Sequence, residues 1–402
     1  MNQVRPSRLL LFASPCLRLC FRSSTVVPCS PLTMLLLVFL SSFLVPLSCF
    51  AAARVEGDWI VATGKGNTLE TVARDIDNPA ILSFDPEAGS AVSARSLKIT
   101  GELTIGGTAT SGSIYRFVNS LEFDVGKCGQ ARILLAPSSG AGWQSAQSSD
   151  EAPRLVIENS RIAAVRTDEG NEACKSEGNV IEAAAGSLIL RGANVSGNFV
   201  VRVSGSAAVA IEDSIISTSN HIGLCIHGVG AADMRIARLR LLDHRIYGLE
   251  VEQAGSPSRH PLTLEDCIIR GGGADLRVYG RTEIVARDCD FDSIRFAGEG
   301  GRVRRQWTVA VRTPAAGCRV VAESENGAGM PERIEATGDT SGVARLLLTE
   351  YIAGPGGDDY LRRGQNDSTP HRLTVYSADG KTVLGRLGNY RVLARGQEVR
   401  IP

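Results

Sequence analysis

Aromatic residues are scarce in this sequence, and cysteine pairs of the metal-binding kind are missing. Only 5% of the 402 residues are Phe, Trp or Tyr, whereas 43 are glycine. This composition favours many short strands and turns over packed helical bundles. The sequence contains no Cys-x-x-Cys pair and no cysteine and histidine group at zinc-finger spacing. We therefore expect no structural metal site and no cofactor.

An excess of positive charge is also missing, which argues against a nucleic-acid partner. The sequence has 43 basic and 43 acidic residues. Segment 1–53 contains four arginines and no acidic residue, so residues 54–402 have 39 basic residues against 43 acidic ones. Their arginines alternate with Asp and Glu, whereas phosphate backbones are bound by clustered cations. We therefore expect no binding of nucleic acid.

The first 53 residues have the pattern of a targeting signal. Residues 34–48, MLLLVFLSSFLVPLS, carry no charge, AAA follows at 51–53, and every charged residue upstream is an arginine. This order predicts export, either secretion or placement in the cell envelope or at the cell surface. The apolar run of about 15 residues is short for a membrane span of about 20. The alternatives are a retained anchor, a lipoprotein at Cys49 and a start at Met34, and we expect membrane contact only through an uncleaved signal.

A seven-residue unit recurs through the middle of the sequence. Its seventh position is always a large apolar residue, and its fifth is mostly small. The copies start at intervals of 33, 21, 25, 28 and 22 residues, and a period of about 20–30 with insertions is typical of solenoids. The six copies are VIENSRI (156–162), ILRGANV (189–195), AIEDSII (210–216), RIARLRL (235–241), TLEDCII (263–269) and VARDCDF (285–291).

Each copy is paired with a second segment of alternating apolar and polar residues. Such alternation predicts a strand with one buried face. Two or three short strands per repeat of about 22 residues leave no room for a helix. The second segments are VIEAA (180–184), VVRVSG (200–205), GLCIHG (223–228), GLEVEQ (248–253), DLRVYG (275–280) and SIRFAG (293–298).

The succession of GLEV and TLEDCII, and of DLRV and VARDCDF, resembles the right-handed parallel β-helix repeat proteins. The resemblance covers residues 90–306 and implies an all-β solenoid in which like residues stack on like. This fold carries lyases, hydrolases, adhesins and inert spacers, so it implies no single activity. A β-sandwich is the rival interpretation.

Residues 54–89 differ from the repeats and predict a cap on the first coil. Segment 67–77, NTLETVARDID, has apolar residues at helical spacing, with Asn67 as the expected N-cap and Glu70 three residues on. A helix there would cover the open strand edge of the solenoid. A fainter similarity of residues 59–76 to LysM glycan-binding modules is the alternative.

Residues 307–402 change to longer strands joined by turns. The pieces DTSGVARLLL and PHRLTVYSADGK resemble the transthyretin-like, carboxypeptidase-regulatory-like β-sandwich. Modules of that family usually act as caps, spacers or binding domains without catalysis. The predicted fold is therefore a signal segment, a helical cap, a β-helix and a small β-sandwich.

Candidate functional residues lie on the outward face of the second segments. Stacked in register, these segments place two columns of outward side chains about 4.8 Å apart from strand to strand. One column is Glu182, Arg202, Cys225, Glu250, Arg277 and Arg295, and the next is Ala184, Ser204, His227, Glu252, Tyr279 and Ala297.

The centre of these columns suggests acid–base chemistry. A polysaccharide lyase would use Arg277 on a uronate carboxylate, with His227 or Tyr279 moving the proton. A glycoside hydrolase would use Glu250 and Glu252 as its carboxylate pair. The competing interpretation is a ladder of surface ion pairs worth about 0–1 kcal/mol each.

The flanking members of the columns are candidates for binding substrate. Arg202, Tyr279, Arg295 and Glu182 are the residues we assign to this role. A weaker candidate is the segment Asp243, His244 and Arg245, expected at a turn beside the columns.

Six cysteines follow the signal segment. Cys128 and Cys174 lie in expected loops and are the candidates for a disulfide, which export would permit. Cys267 and Cys289 would stack on adjacent coils, and we expect two buried thiols there.

These observations predict an exported or cell-surface protein that contacts a polysaccharide or a cell-surface glycan without catalysis, or that serves as a structural spacer. The alternative is a polysaccharide lyase or glycoside hydrolase acting on the strand face. A groove walled by loops 137–153 and 167–178 would favour the enzyme, and exposed aromatic residues such as Trp143 would favour the binding protein.

Overall fold

The computed structural model describes residues 52–107, 119–123, 131–136, 152–164, 179–197, 199–205, 207–218, 221–229, 234–253, 261–325, 332–354, 360–362 and 369–401. Strands account for 64% of the structure, and the described ranges contain one α-helix. The protein is therefore all-β with long parallel sheets, in agreement with the predicted class. None of the described helical segments is long and apolar enough to span a membrane.

The N-terminal part contains nine short strands and the helix. Strand β1 begins at Ala52, within the predicted signal segment, and pairs antiparallel with β2. The elements are β1 (Ala52–Glu56), β2 (Trp59–Thr63), β3 (Asn67–Thr68), α1 (Leu69–Ile76), β4 (Leu82–Asp85), β5 (Ser90–Ser93), β6 (Ser96–Ile99), β7 (Glu102–Gly106), β8 (Asn119–Phe123) and β9 (Ile133–Leu135).

The repeats form the next seventeen strands. They are β10 (Arg154–Glu158), β11 (Ser160–Ala164), β12 (Ile181–Ala183), β13 (Ser187–Arg191), β14 (Asn194–Gly197), β15 (Val201–Ser204), β16 (Ala208–Glu212), β17 (Ile215–Thr218), β18 (Ile222–Val229), β19 (Met234–Ala237), β20 (Arg240–His244), β21 (Tyr247–Gln253), β22 (Leu262–Glu265), β23 (Ile268–Gly271), β24 (Ala274–Tyr279), β25 (Glu283–Arg287) and β26 (Ser293–Ala297).

The C-terminal part consists of longer strands. They are β27 (Arg302–Arg312), β28 (Arg319–Ser324), β29 (Arg333–Thr337), β30 (Val343–Ala353), β31 (Tyr360–Arg362), β32 (Pro370–Tyr376), β33 (Val383–Arg391) and β34 (Glu398–Arg400).

Helix α1 is present where the sequence predicted it, but its cap is different. The Oγ1 of Thr68 accepts a hydrogen bond from the backbone of Thr71 at 3.2 Å, and Thr71 Oγ1 accepts from the backbone of Thr68 at 2.8 Å. The predicted cap, Asn67, is fully buried in β3 and donates to two backbone carbonyls on neighbouring segments. The prediction of Asn67 and Glu70 as the capping pair is therefore wrong, because Asn67 is used inside the sheet.

Three sheets share one core, and successive strands from β6 onward enter them in turn. Sheet A has the order β1-β2-β6-β9-β12-β15-β18-β21-β24-β26-β31, sheet B has β3-β7-β10-β13-β16-β19-β22-β25-β27-β30 with β34 on β27, and sheet C has β23-β20-β17-β14-β11-β8-β5-β4. Neighbouring repeats pair in parallel, as β15, β18 and β21 do. Each repeat thus adds one strand to each sheet until β23, the last strand of sheet C.

The seven-residue unit spans a corner between two sheets. Its first three residues end a strand of sheet B, and in the first five copies its sixth and seventh residues lie on sheet C. In the last copy only an isolated bridge between Asp290 and Ile268 continues sheet C. The fourth residue has a positive φ in all six copies, from 49° to 58°. Asn, Asp and Gly adopt this left-handed conformation most easily, and they occupy five of the six corners. The corner residues are Asn159, Gly192, Asp213, Arg238, Asp266 and Asp288.

This corner explains why the fifth residue of the unit is mostly small and the seventh is large. The fifth residue points inward just after the turn, where space is narrow, and the seventh fills the core. Ser160 and Cys289 have no exposed surface at the fifth position, and neither does Phe291 at the seventh. The side-chain hydroxyl of Ser160 donates a hydrogen bond to the carbonyl of Glu158 at 2.8 Å. Buried hydroxyls need such a partner.

The C-terminal strands are continuous with the repeats. The first half of β27 pairs in parallel with β25, and nearly the whole strand pairs antiparallel with β30 on its other edge. The predicted domain boundary at 306/307 falls inside β27. A four-stranded sheet D, in the order β29-β28-β32-β33, completes this part. A second core lies there, built around residues such as Trp307, Val309 and Leu373.

Candidate functional site

The two predicted columns exist on sheet A in the expected register. Glu182 lies opposite Arg202, Arg202 opposite Cys225, and Cys225 opposite Glu250. The sheet continues with Arg277 opposite Glu250 and Arg295 opposite Arg277, and the second column places His227 beside Glu252 and Glu252 beside Tyr279. Parallel strands without a bulge between the paired positions keep this order. We call Cys225, His227, Glu250, Glu252, Arg277 and Tyr279 the polar cluster.

Glu250 is the centre of the polar cluster and is only 5% exposed. Its Oε1 lies 2.9 Å from Nε2 of His227 and accepts from the thiol of Cys225 at 3.6 Å. Its Oε2 accepts from the guanidinium of Arg277 at 3.0 Å. The two carboxylate oxygens therefore face different partners, and the buried charge is compensated on both sides.

The surroundings of Glu250 hold it as a carboxylate. Burial raises the pKa of Glu250, but the hydrogen bond from His227 and the charge of Arg277 outweigh it, so that the pKa lies below its usual range. Glu252 differs from it, since its side chain is 54% exposed and its Oε2 lies 3.8 Å from Nδ1 of His227. The two glutamates of the predicted hydrolase pair thus lie in very different environments.

Two tyrosine rings enclose Arg277. Its guanidinium carbon lies 4.5 Å from the ring centre of Tyr247 and 4.3 Å from that of Tyr279. Arg295 donates to the hydroxyl of Tyr247 at 3.2 Å. Cation–π contacts of this kind add to the ion pair with Glu250 and fix the orientation of the arginine.

Tyr247 was missed from sequence because simple alternation assigns it to the inner face. It is the first residue of β21, one position before the segment GLEVEQ, and it pairs with Ala274 in the same register as the rest of the strand. The tyrosine is 7% exposed and reaches Arg277 from the edge of the strand. Its position directly before Gly248 was the available signal, since glycine in a strand often marks a bend.

The flanking candidates lie farther along the same face. Glu182 is three strands from Glu250, about 14 Å at the usual strand spacing. It accepts a hydrogen bond from the Asn179 amide at 3.3 Å. Arg202 lies one strand from Cys225 on this side, and Arg295 lies beyond Arg277 on the other. The structure brings Arg295 to the polar cluster through Tyr247, and it leaves Glu182 apart from it.

The pKa values of Cys225 and Tyr279 are both raised within the polar cluster. Burial, followed by the nearby charge of Glu250, raises the pKa of the Cys225 thiol to about 12. Burial and Glu250 also raise the pKa of Tyr279. A tyrosine with a raised pKa is a poor base at neutral pH, which weakens the lyase interpretation for this residue.

Three side chains of the cluster have a donor set suited to a metal ion. One ligand atom each from Cys225, His227 and Glu250 lie within 4.8 Å of one another. The expectation of no metal site rested on spacing along the chain, and these residues come from two adjacent strands. Cys225 and His227 are two residues apart on β18, and Glu250 is their neighbour on β21.

His244 lies at the end of β20, directly before the bend that leads to β21, and it is buried in the interior. It ends β20 with no exposed side-chain surface, and its Nε2 lies 3.2 Å from Oδ1 of Asp275. The other oxygen of Asp275 accepts from the backbone of Asp292 and Ser293. This pair is part of the packing between β20, β24 and the turn before β26.

Several expectations fall on residues that the structure does not describe. These are the candidate disulfide between Cys128 and Cys174, Trp143, and most of loops 137–153 and 167–178. Cys267 and Cys289 are described, and both are buried free thiols, as predicted.

A shallow groove elsewhere contains none of the candidate residues. It lies beside α1 and is lined by Glu70, Ala73, Arg74, Asp77, Asn78, Pro79, Leu82, Ser83, Phe84 and Pro86.

Comparison with known proteins gave no match, either to a protein-family model, to a curated protein or to a solved structure.

Proposed function

We propose that residues 90–306 form a right-handed parallel β-helix, capped by the helix within 54–89 and followed by a β-sandwich at 307–402. Successive strands belong in turn to sheets A, B and C, and this order supports the proposed coil. The apolar face of α1 supports the cap, because Leu69 and Val72 are buried in the core of the first strands. The separate core and the antiparallel sheet D support the sandwich.

We further propose that the protein is exported and contacts a polysaccharide or cell-surface glycan on sheet A without catalysing a reaction. The observation that carries this proposal is the saturation of Glu250, whose carboxylate is already bonded to His227 and Arg277. A carboxylate held by two neighbours in this way has a fixed position and is not free to exchange protons with a substrate. Charged and aromatic side chains on rigid strands are well suited to bind a polar polymer without adapting to it.

The contacts of Glu250 argue against hydrolysis. A glycosidase needs one carboxyl group that is protonated at working pH, and such groups have a raised pKa. The pKa of Glu250 is lowered by His227 and Arg277. Glu252, at 54% side-chain exposure, lacks the apolar enclosure that would keep a proton on it.

The contacts of Arg277 argue against a lyase. An arginine that binds a uronate carboxylate must offer free donors to it. Arg277 donates to Glu250 and lies between the rings of Tyr247 and Tyr279, with its side chain 24% exposed. The charge of Arg277 is already paired with Glu250, so a uronate carboxylate would have to share the guanidinium with it.

The positive charges left for a ligand lie at the two ends of the cluster. Arg202 and Arg295 flank it on sheet A, and Arg295 bonds to a tyrosine hydroxyl rather than to a carboxylate. An acidic polysaccharide lying across the strands would contact both. We therefore propose anionic glycans as the preferred class of partner.

The proposal is tested with residues 51–402, purified without a tag and incubated with acidic and neutral polysaccharides. Pull-down, reducing ends and the ultraviolet absorbance of unsaturated uronate are measured in the same samples. Binding without turnover is expected, and Arg202→Gln and Arg295→Gln should each weaken it about tenfold, the effect of about 1.4 kcal/mol.

The matched control is Arg191→Gln, which removes an exposed arginine of sheet B that pairs with Glu158. It should bind like the wild type. Turnover that disappears in Glu250→Gln would overturn the proposal in favour of an enzyme. Absence of binding to every polysaccharide would favour a structural spacer.

A further inference from the structure

Cys225, His227 and Glu250 present sulfur, nitrogen and oxygen donors around one point on sheet A. The thiol sulfur lies 3.6 Å from Oε1 of Glu250, and Nε2 of His227 lies 2.9 Å from the same oxygen. All three ligand atoms lie within 4.8 Å of one another. We infer that these three side chains form a zinc-binding site, which is independent of glycan binding.

The two distances from Oε1 of Glu250 are close to those in a tetrahedral zinc site. Zinc lies about 2.3 Å from sulfur and about 2.0–2.2 Å from nitrogen or oxygen, so a tetrahedron separates sulfur and oxygen ligands by about 3.6 Å and nitrogen and oxygen by about 3.4 Å. The Cys225–Glu250 distance already has this value. The His227–Glu250 distance must widen by about 0.5 Å. The side chain of His227 is 29% exposed and has room to turn outward.

The second carboxylate oxygen of Glu250 is already positioned by a neighbour. Arg277 donates to Oε2 at 3.0 Å, which leaves Oε1 directed at the thiol and the imidazole. Carboxylate ligands of metals are commonly oriented by such a hydrogen bond. The cation–π contacts of Arg277 with Tyr247 and Tyr279 keep the arginine in place while the carboxylate binds the ion.

Glu252 faces the other ring nitrogen of His227, at a distance longer than a hydrogen bond. Its Oε2 lies 3.8 Å from Nδ1 of His227, on the side of the ring opposite to Nε2. To bind the ion, Nε2 must give up the proton that it donates to Glu250, and a carboxylate beside Nδ1 favours the tautomer that carries the proton there. Glu250 and His227 thus each have a residue of the same two columns beside the atom that does not face the ion.

The donor set selects the type of metal. A thiolate with an imidazole and a single carboxylate suits zinc, whereas calcium and magnesium prefer sites made of oxygen alone. Three protein ligands leave the fourth tetrahedral position to water, the arrangement of open zinc sites. Binding replaces the thiol proton by a zinc–sulfur bond, and the proton leaves to solvent.

The inference is tested by equilibrium dialysis of untagged residues 51–402 against zinc chloride, with metal counted by mass spectrometry and no polysaccharide present. One zinc ion per chain is expected. Cys225→Ser and His227→Gln should each weaken binding at least 100-fold. Glu252→Gln, which removes only the support of the imidazole, should weaken it about 10–100-fold.

Cobalt substitution identifies the sulfur ligand. A thiolate bound to Co²⁺ gives a charge-transfer band in the near ultraviolet, which should disappear in Cys225→Ser. Cys318→Ala, which removes a buried thiol of the second core, and Glu265→Gln, which removes an exposed carboxylate of sheet B, are the matched controls and should retain zinc.

Cys225 and His227 are partly exposed, so their variants should retain the circular dichroism of the folded metal-free wild type. The inference is overturned if the wild type binds no zinc at micromolar concentration. It is also overturned if a folded Cys225→Ser/His227→Gln double variant binds zinc as well as the wild type does.

Discussion

The guanidinium Nε of Arg305 lies 3.2 Å from Oε2 of Glu350, and both side chains are buried, with 0% and 7% of their surface exposed. The same carboxylate oxygen accepts a hydrogen bond from the indole of Trp307 at 2.6 Å. The rings of Phe291, Trp307 and Tyr351 surround the guanidinium. Because Phe291 and Tyr351 belong to the first core and Trp307 to the second, this ion pair ties the two cores together.

Removal of one charge of this pair should destabilise the protein strongly. Glu350→Gln keeps an acceptor for Trp307 but leaves the Arg305 guanidinium without its closest counter-charge. Breaking a buried ion pair in this way costs about 3–5 kcal/mol. We expect the free energy of unfolding, measured by urea denaturation, to fall by about 3 kcal/mol in Glu350→Gln and similarly in Arg305→Met.

The double variant Arg305→Met/Glu350→Gln separates the pair from other effects. Since it leaves no buried charge, it should be clearly more stable than the sum of the two single changes predicts. Arg312→Gln, which breaks the exposed ion pair with Glu398, should cost less than about 1 kcal/mol. Single variants no less stable than Arg312→Gln would contradict the structural role of Arg305.

The left-handed corners of the repeat give a second prediction. Asn159 has a φ of 49°, and its amide donates to the carbonyl of Gly107 at 2.9 Å. Asn159→Gly and Asn159→Ala both delete this hydrogen bond, but only alanine places a Cβ in the left-handed region. We expect the alanine variant to have the lower free energy of unfolding, by about 1 kcal/mol. Equal stability of the two variants would mean that the corner backbone relaxes.

The turn at Asp339 predicts a dependence of stability on pH. The carboxylate accepts from the hydroxyl and backbone of Ser341, from the backbone of Val343 and from Arg345. The hydroxyl of Ser341 and the backbone N–H of Val343 hold the pKa of Asp339 well below its usual range. This stabilisation is fully present above the unfolded pKa of about 3.9 and is lost as the pH falls through the folded pKa.

Asp339→Asn should therefore unfold at lower urea concentration than the wild type at neutral pH, and the difference should shrink below about pH 4. Glu70→Gln, which removes a carboxylate in the first turn of α1, controls for the change in net charge. A difference that stays constant down to about pH 2 would show that the turn does not depend on ionised Asp339.

The columns of sheet A were predictable from sequence because strand alternation and repeat spacing act locally. Once GLCIHG, GLEVEQ and DLRVYG are aligned by their apolar residues, Glu250 must lie beside Cys225 and Arg277. The geometry within the columns was not predictable. Which oxygen of Glu250 meets which partner depends on side-chain rotamers and burial, and these have no signal in a pattern of apolar and polar residues.

The cap of α1 and the position of Tyr247 were missed for a related reason. Sequence favours Asn67 as an N-cap as strongly as Thr68, and only the sheet decides that the Asn67 amide is needed by two backbone carbonyls. Tyr247 was missed because it precedes GLEVEQ, from which the columns were derived, and because alternation assigns it to the inner face. The Arg305–Glu350 pair likewise joins residues that no short motif connects.

Cys267 and Cys289 give the last prediction, which concerns thiol chemistry. Both are buried, and the backbone N–H of Cys267 donates to the sulfur of Cys289 at 3.4 Å. Their own thiols donate to the carbonyls of Glu265 and Arg287, at 3.3 and 3.2 Å. Each thiol thus donates a hydrogen bond to a backbone carbonyl, and a disulfide, which has no S–H group, would lose these hydrogen bonds.

These thiols should stay reduced and unreactive in the folded protein. Burial raises the pKa of Cys289 well above its usual range, and only the thiolate reacts readily with alkylating reagents or disulfides. The hydrogen bond with Cys289 lowers the pKa of Cys267, so Cys267 is protected by its burial, with 2% of its surface exposed. We expect peptide mass spectrometry after treatment with iodoacetamide to find both cysteines unmodified in native protein and fully alkylated in urea without a reductant. Failure of the pair to alkylate in urea until a reductant is added would reveal a Cys267–Cys289 disulfide. Rapid alkylation in native protein would instead mean that the fifth position of the repeat opens to solvent, which its narrow corner beside Asp266 and Asp288 opposes.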